Sequence, residues 1–194
     1  MKAREAILTV LDFESTGAVR GHVDEPWQVG MVEMRGGRVT GRCHESWLRV
    51  AADRPFNPYA PGRHAEIRGR LAAAPAMAEL WPTWRPWLEG RALAAHNIGT
   101  ERKFLRRAAP MHMLGPWIDT LRLARHARPD LEGHSLAEVC EAMGLVVRTR
   151  EFCPARDWHD ALFDAYASAL VLEHCLALPG WEAVTVEALS RGLG

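Results

Sequence analysis

The sequence has no excess of charge of either sign and few cysteines. It carries 24 basic and 24 acidic side chains, so its formal net charge is zero and argues neither for nor against a polyanionic partner. The four cysteines are scattered without CxxC spacing, which favours buried free thiols in a reducing cytoplasm. They are Cys43, Cys140, Cys153 and Cys175.

Long apolar runs are also missing. No apolar stretch approaches the roughly 18 residues that a membrane-spanning helix needs, and the first run is too short for a signal peptide and is interrupted by Asp12. There is no repeat and no low-complexity segment. At 194 residues the chain is long enough to bury a core, and we expect one domain over residues 1–178, followed by a short tail over 179–194.

The pattern along the chain is that of an α/β fold. The apolar, β-rich run over 6–13 predicts a central strand, and two alternating runs around Gly36 and Gly37 predict a hairpin within 26–50. A hairpin followed by strands that alternate with helices indicates a mixed sheet with helices on its faces. The helical patterns cover residues 64–89, 98–109, 134–145 and 160–178.

Two carboxylates follow the first apolar run, in the segment LTVLDFESTG over 8–17. Asp12 and Glu14 are two positions apart, so in a strand they project from the same face, roughly 6.6 Å from each other along the chain. In open α/β sheets, sites form at the carboxyl ends of strands, and paired hard oxygen ligands suit Mg²⁺ or Mn²⁺. The alternative is that the strand ends at Asp12 and that Glu14 points into water.

A further acid lies in the long helix predicted over 160–178. Asp164 falls in its second turn, beside a face of small side chains that suits close packing against a sheet. Asp160 is the expected N-cap, and His159 precedes the helix on a loop from which it could share a pocket with Asp164. A lone histidine or aspartate at these positions could equally be structural.

A third cluster is the segment AAHNIGTERKFL over 94–105, which combines a strand, a polar turn and the start of a helix. Asn97 is the expected N-cap of the helix that begins near Ile98. Glu101 lies one turn into this helix and could point back over the strand ends. It could also be only a first-turn acid that is favourable to the helix dipole.

Together, these three segments resemble the motifs of the DEDDh-type 3′→5′ exonucleases, which include the proofreading subunit of bacterial DNA polymerase III, ribonuclease T and oligoribonuclease. The first family motif, Asp-x-Glu followed by Thr/Ser-Thr-Gly, is matched by DFESTG over 12–17. The second, His-Asn-x-x-Phe-Asp, aligns with HNIGTE over 96–101, and the third, His-x-Ala-x-x-Asp, aligns with HDALFD over 159–164. The resemblance covers residues 6–178 and implies an RNase H-like fold, a five-stranded mixed sheet flanked by helices.

The resemblance also implies an activity and a set of site residues. The activity is two-metal-ion hydrolysis of the phosphodiester bond at the 3′ end of single-stranded nucleic acid, with release of nucleoside monophosphates. His159 would be the general base. Two Mg²⁺ or Mn²⁺ ions would be held by Asp12, Glu14, Glu101 and Asp164. The residues near the terminal nucleotide would be Ser15, Thr16, Gly17, Asn97 and Phe104.

One position departs from the family pattern. Where the family has Phe-Asp, this sequence has Thr100 and Glu101, and the extra methylene moves the carboxylate outward by about 1 Å. Glu101 could therefore act as a longer ligand, or the enzyme could be slow. A third alternative is a catalytically weakened domain that binds nucleic acid without cutting it.

The sequence defines the substrate and the partners less closely. The arginine-rich segments over 102–107 and 122–128 could track phosphates or could be solvated helix faces. We expect a DNA proofreading or repair enzyme, with an RNA-trimming exoribonuclease as the alternative, and a single-stranded 3′ end as the bound partner. A DNA polymerase is a further candidate partner. We expect a cytoplasmic monomer or homodimer without membrane association.

Overall fold

The computed structural model describes residues 1–60 and 64–192, without the side chains of residues 64–66. Within these residues, one mixed sheet is built from strands β1 (Ile7–Ser15), β2 (Pro26–Arg35), β3 (Arg38–Trp47), β4 (Ala92–Ala95) and β5 (Trp117–Asp119). The strand order is β3-β2-β1-β4-β5, with β1 antiparallel to β2 and parallel to β4. The predicted α/β fold with a five-stranded mixed sheet is confirmed.

Helices flank this sheet. They are α1 (His64–Leu71), α2 (Trp81–Leu88), α3 (Gly99–Ala108), α4 (Thr120–Ala127), α5 (Leu136–Ala142), α6 (Val146–Phe152), α7 (Ala161–Ala177) and α8 (Val186–Arg191), with short 3₁₀ segments at Ala3–Glu5 and Met77–Leu80. The sequence patterns did not predict α6 or α8. No helix in the described ranges is long and apolar enough to span a membrane.

The helical pattern over residues 64–89 corresponds to two helices and a 3₁₀ segment, with a break between them. The chain leaves the helical conformation between α1 and the 3₁₀ segment that precedes α2. Pro75 explains the break, because proline lacks a backbone N–H and disfavours the helical conformation at the preceding Ala74. The Pro75 carbonyl instead accepts a hydrogen bond from the backbone N–H of Arg49, at 2.9 Å.

The hairpin between β2 and β3 turns at Gly36 and Gly37, as predicted. Their φ angles are 64° and 72°, and two consecutive positive values belong to a type I′ turn, whose twist matches that of the flanking strands. Arg35 pairs with Arg38 across this turn and with Ile7 on β1. The turn therefore lies at the end of β1 opposite to the predicted carboxylate pair.

Helix α7 packs closely across β1 and β2. Its inner face consists of small side chains, and Ala161 and Ser168 are fully buried. Gly30 on β2 permits this close approach, because a Cβ atom there would clash with the backbone of Ala161. Since Gly30 pairs with Asp12, the packing brings the first turn of α7, and with it Asp164, to the carboxyl end of β1.

Two apolar clusters lie on the two faces of the sheet. The side chains of β1 alternate between them, with Val10 in the cluster under α7 and Leu11 and Phe13 in the cluster with α2 and α3. This alternation is that of an ordinary strand with a period of two residues. It places Asp12 and Glu14 on the face that α7 covers.

The described chain contains no disulfide, and the free thiols were predicted to be buried. Cys140, Cys153 and Cys175 are buried, but Cys43 is exposed. The prediction is therefore wrong for Cys43, because this residue lies on the edge strand β3, which is covered less than the centre of the sheet.

The segment after residue 178 contains helix α8, which contacts β5. Val186 and Leu189 of this helix are almost completely buried and join the cluster under α7. Thr185 forms an antiparallel bridge with Lys2. The two ends of the described chain thus pack against the same side of the sheet.

Candidate active site and metal centre

Acidic side chains converge at the carboxyl end of β1. Asp12 is half-buried and Glu14 is buried at this point, and Asp164, from the first turn of α7, is only 8% exposed. One ligand atom from each of Glu14, His159 and Asp164 lies within 4.8 Å of the corresponding atoms of the other two. The structure thus brings the first and third sequence clusters together.

Burial and mutual repulsion make these acids resist ionisation. Burial, followed by the charges of Asp164 and Glu101, raises the pKa of Asp12 well above its usual range. Burial and the charge of Asp164 raise the pKa of Glu14 to about 8, and burial raises the pKa of Asp164 to about 7. Carboxylates crowded in a desolvated site are stabilised in their charged form by a cation.

Glu101, from the second sequence cluster, also lies near Asp12 at the carboxyl end of β1. It lies in the first turn of α3, is only 3% exposed, and burial raises its pKa to about 8. Its charge acts in turn on Asp12. Asp119, at the carboxyl end of β5, adds to the repulsion on Glu101, although its Oδ1 already accepts backbone hydrogen bonds from Asn97 and Leu121, both at 3.0 Å.

Two carboxylate oxygens of this acid cluster are buried without a hydrogen-bond partner in the described part of the chain. They are Oδ1 of Asp164 and Oε2 of Glu101, while Oδ2 of Asp164 accepts a hydrogen bond from the backbone N–H of His159 at 3.1 Å. A buried acceptor without a donor costs stability. Carboxylate oxygens are the ligands that Mg²⁺ prefers, so the acid cluster of Asp12, Glu14, Glu101 and Asp164 fits divalent ions.

His159 lies on the turn that leads into α7, in the left-handed region with a φ of 65°. Its side chain is exposed at the edge of the acid cluster. Partial burial lowers its pKa, so the neutral imidazole, which can accept a proton, dominates at neutral pH.

An ion-pair network holds this turn in place. Arg156 donates to both oxygens of Glu45 on β3, at 3.0 and 2.8 Å, and to those of Asp160, at 2.9 and 3.1 Å. Gln28 donates to both carboxylates. Asp160 is the N-cap of α7, as predicted, and accepts hydrogen bonds from backbone N–H groups of the first turn. Sequence reasoning missed the pairing of Arg156 with Glu45 because 111 residues separate them.

The prediction that Asn97 is the N-cap of α3 is wrong. Ile98 occupies the N-cap position and makes no side-chain cap. Asn97 has a φ of 67°, whereas a capping residue is typically extended. Asparagine is among the non-glycine residues that enter the left-handed region most readily, so its role here is to let the chain turn from β4 into α3.

The five residues predicted near a terminal nucleotide divide into two groups. Ser15, Gly17 and Asn97 reach the surface at the carboxyl ends of β1 and β4. Thr16 and Phe104 are completely buried, the first held by hydrogen bonds within its loop and the second packed against the ring of Phe13. In this structure, these two side chains lie in the interior, beneath the exposed residues, and do not reach the surface.

A buried arginine that sequence reasoning did not single out fixes the loop after β1. Arg54 is 6% exposed, and its guanidinium donates to the Thr16 hydroxyl at 3.2 Å and to the carbonyl of Val23. It also forms an ion pair with Glu25 at 3.3 Å. Because these partners lie about 30 to 40 positions away, no local pattern indicates the role of Arg54.

The comparison with protein families agrees with the site. A model of the RNase T family, described as Exonuclease, matches residues 9–172, a range that contains all three motif segments. The chain belongs to this exonuclease family. With its motifs and its RNase H-like fold, it is a member of the DEDDh 3′→5′ exonucleases.

The chain is also similar in sequence to individual proteins of known name. It is 30% identical over 164 residues to a DNA polymerase III subunit epsilon-like protein of Rhodobacter capsulatus, a match that covers 82% of this chain but 22% of the relative. It is 27% identical over 179 residues to exodeoxyribonuclease 10 of Escherichia coli, covering 91% of this chain and 72% of the relative. The chain spans about a fifth or less of the length of the polymerase III relatives.

A solved structure shares the fold of this protein over almost the whole length of both chains. Exonuclease X in complex with 5′ overhanging duplex DNA superposes with a TM-score of 0.72 at 27% sequence identity. The match covers 96% of this chain and 99% of that chain. The similar structure and the family model thus agree on the exonuclease family for residues 9–172.

Proposed function

We propose that this chain is a metal-dependent 3′→5′ exonuclease that hydrolyses single-stranded DNA from its 3′ end and releases nucleoside monophosphates, in DNA proofreading or repair. The observation that carries the proposal is the acid cluster beside His159. Its members are buried or half-buried, repel one another and include two carboxylate oxygens without hydrogen-bond donors in the described chain.

In this proposal, Asp12, Glu14, Glu101 and Asp164 hold two Mg²⁺ or Mn²⁺ ions. When bound, such ions neutralise charge on the phosphate and lower the pKa of water. The buried carboxylates contribute a fixed negative set of ligands, held in place by β1, α3 and α7. The raised pKa values mean that protons compete with the ions for these oxygens.

His159 is the general base. Its imidazole, kept neutral by a lowered pKa, takes a proton from the attacking water. The left-handed turn, the hydrogen bond from its own N–H to Asp164 and the Arg156 network orient it at the edge of the acid cluster. Orientation of this kind is necessary because a base must lie within hydrogen-bond reach of the proton that it accepts.

DNA is favoured over RNA by the relatives. One is named exodeoxyribonuclease 10, and the similar solved structure is a complex with DNA. Association with a DNA polymerase is the corresponding partner hypothesis, suggested by the names of the polymerase III relatives. RNA trimming is the alternative, and it would be excluded if the enzyme cleaves DNA much faster than RNA.

The test is the degradation of oligonucleotides that carry a label at either end. We expect rapid loss of a 3′ label, and a ladder from a 5′ label, with Mg²⁺ or Mn²⁺ but not with a chelator. Asp164→Asn, which keeps the shape of the side chain but removes its charge, is the matched inactive variant. A panel of single-stranded DNA, frayed duplex DNA, RNA and dinucleotides identifies the substrate. Binding of DNA without cleavage under all metal conditions would contradict the proposal.

A further inference from the structure

After Gly99 and Thr100, every exposed residue of α3 is basic. Phe104 and Leu105 of this helix are buried in the core, and Glu101 belongs to the acid cluster. The exposed positions from residue 102 onward carry cations. This basic face consists of Arg102, Lys103, Arg106 and Arg107.

The charges of the basic face are not neutralised within the described chain. No acidic side chain there forms an ion pair with any of its four members; Arg107 donates to the backbone carbonyl of Asp24 at 2.7 Å, and Lys103 lies 5.7 Å from the centre of the Phe104 ring. Several other arginines of the protein are paired with carboxylates. Examples are Arg42 with Glu33, Arg85 with Glu89, Arg128 with Asp130, Arg148 with Glu173 and Arg156 with Glu45.

The basic face begins at the acid cluster. The buried Glu101 of the acid cluster is in the first turn of α3, and Arg102 of the basic face follows it directly in the chain. At its other end, Arg107 contacts the loop that follows Gly17. Since a helix rises by about 1.5 Å per residue, the cations extend over roughly 7.5 Å along the axis of α3.

We propose that the basic face binds the phosphodiester backbone of the nucleic acid beyond the terminal nucleotide. This inference rests on the proposed function, because it extends the same site. Cations on a solvent-exposed face bind phosphates without reading the bases. The acid cluster repels a polyanion, and the basic face next to it offsets this repulsion for a strand that enters the site. The backbone is that of the cleaved strand or that of a complementary strand.

The test neutralises the two rows of the basic face separately. Arg102→Gln/Arg106→Gln removes one row, and Lys103→Gln/Arg107→Gln removes the other, while glutamine preserves helix propensity. The matched control is Arg35→Gln/Arg38→Gln, which removes the same charge at the hairpin, at the opposite end of β1. Thermal unfolding establishes that all variants fold.

The measurement is the dependence of kcat/KM on salt concentration, with a long single-stranded DNA and with a duplex that has a recessed 3′ end. Each lost phosphate contact reduces the slope of log(kcat/KM) against log[salt] by about 0.7–0.9. Between 50 and 200 mM salt, the factor by which kcat/KM falls should therefore be about tenfold smaller for a double variant than for the wild type. The control variant keeps the wild-type slope.

The outcomes separate this inference from the proposed function. Hydrolysis of the p-nitrophenyl ester of thymidine 5′-monophosphate reports the acid cluster alone, and we expect the basic-face variants to retain it. If the wild type cleaves neither this ester nor DNA, the proposed function fails. A reduced slope on single-stranded DNA assigns the basic face to the cleaved strand, and a reduction on the duplex alone assigns it to the complementary strand. Wild-type slopes of both double variants on both substrates would overturn the inference.

Discussion

Removal of divalent ions should make the stability of this protein fall as the pH rises. The reason is that Glu14 and Glu101, with pKa values raised by burial to about 8, keep protons in the folded state that they lose in the unfolded chain. Below the unfolded pKa of about 4.3, both states are protonated. Above that value the unfolded state binds fewer protons, so the free energy of unfolding decreases until the folded carboxyls also ionise, at about pH 8.

The magnitude follows from linkage. Each carboxyl that stays protonated only in the folded state lowers the free energy of unfolding by about 1.4 kcal/mol per pH unit. For a chain of this size, 1 kcal/mol corresponds to about 2–4 °C in Tm. One such carboxyl therefore lowers Tm by about 3–6 °C per pH unit, and two lower it by about twice that amount.

The assay is thermal unfolding in chelator and in millimolar Mn²⁺, compared between about pH 7 and 8. This window avoids opposite contributions from His44, His96 and His159, whose pKa values are lowered by burial. These histidines add stability as the pH rises, but only up to their unfolded pKa of about 6.5. Because Mn²⁺ binds the ionised carboxylates, the rise in Tm that it causes should grow with pH.

Two variants make the result specific. Glu14→Gln removes one of the titrating groups and should reduce the fall of Tm with pH in chelator, whereas Glu132→Gln, at an exposed position, should leave it unchanged. A Tm in chelator that is constant over this window would refute the reasoning. So would a Mn²⁺ effect that is equal at both ends of it.

Three further predictions concern single residues. His159→Ala should lower kcat by about 10²–10⁴-fold without removing the Mn²⁺-dependent rise in Tm, and a near-wild-type kcat would exclude this residue as the base. Glu101→Gln should lower kcat/KM by at least about 10²-fold in a steady-state assay, and full activity would mean that it is not a ligand. Arg156→Gln should lower both kcat and the free energy of unfolding, the latter by about 1.5–3 kcal/mol in denaturant unfolding, because Glu45 and Asp160 lose the cation between them. Unchanged values of both would show that the turn does not need this ion pair.

Local patterns predicted the elements that carry the motifs. The hairpin at Gly36 and Gly37 and the Asp160 cap of α7 depend on neighbours in sequence, and both were predicted correctly. The helical pattern over 64–89 did not indicate the break before Pro75. In that segment, the local signal of one proline outweighs the helical composition around it.

Other predictions failed or were missing because they depend on the backbone conformation of a turn or on distant contacts. Asn97 has the composition of a cap, but the turn between β4 and α3 requires a positive φ there. Burial of Thr16 depends on Arg54, 38 residues away, and the position of the His159 turn depends on the pairing of Arg156 across the sheet. No pattern in a single sequence encodes these distances.

Glu101 is the position at which the sequence left most alternatives open, and the structure narrows them. Thr100, which stands where the family has a phenylalanine, is exposed, so no bulky side chain fixes the start of α3 at that point. Glu101 itself is buried, and its Oε2 has no hydrogen-bond partner in the described chain. A first-turn acid that served only the helix dipole would be solvated at the surface. The longer side chain therefore reaches the acid cluster, as a ligand requires. Glu101→Gln and Glu101→Asp then separate charge from length, because the first variant keeps the reach without the charge and the second keeps the charge without the reach.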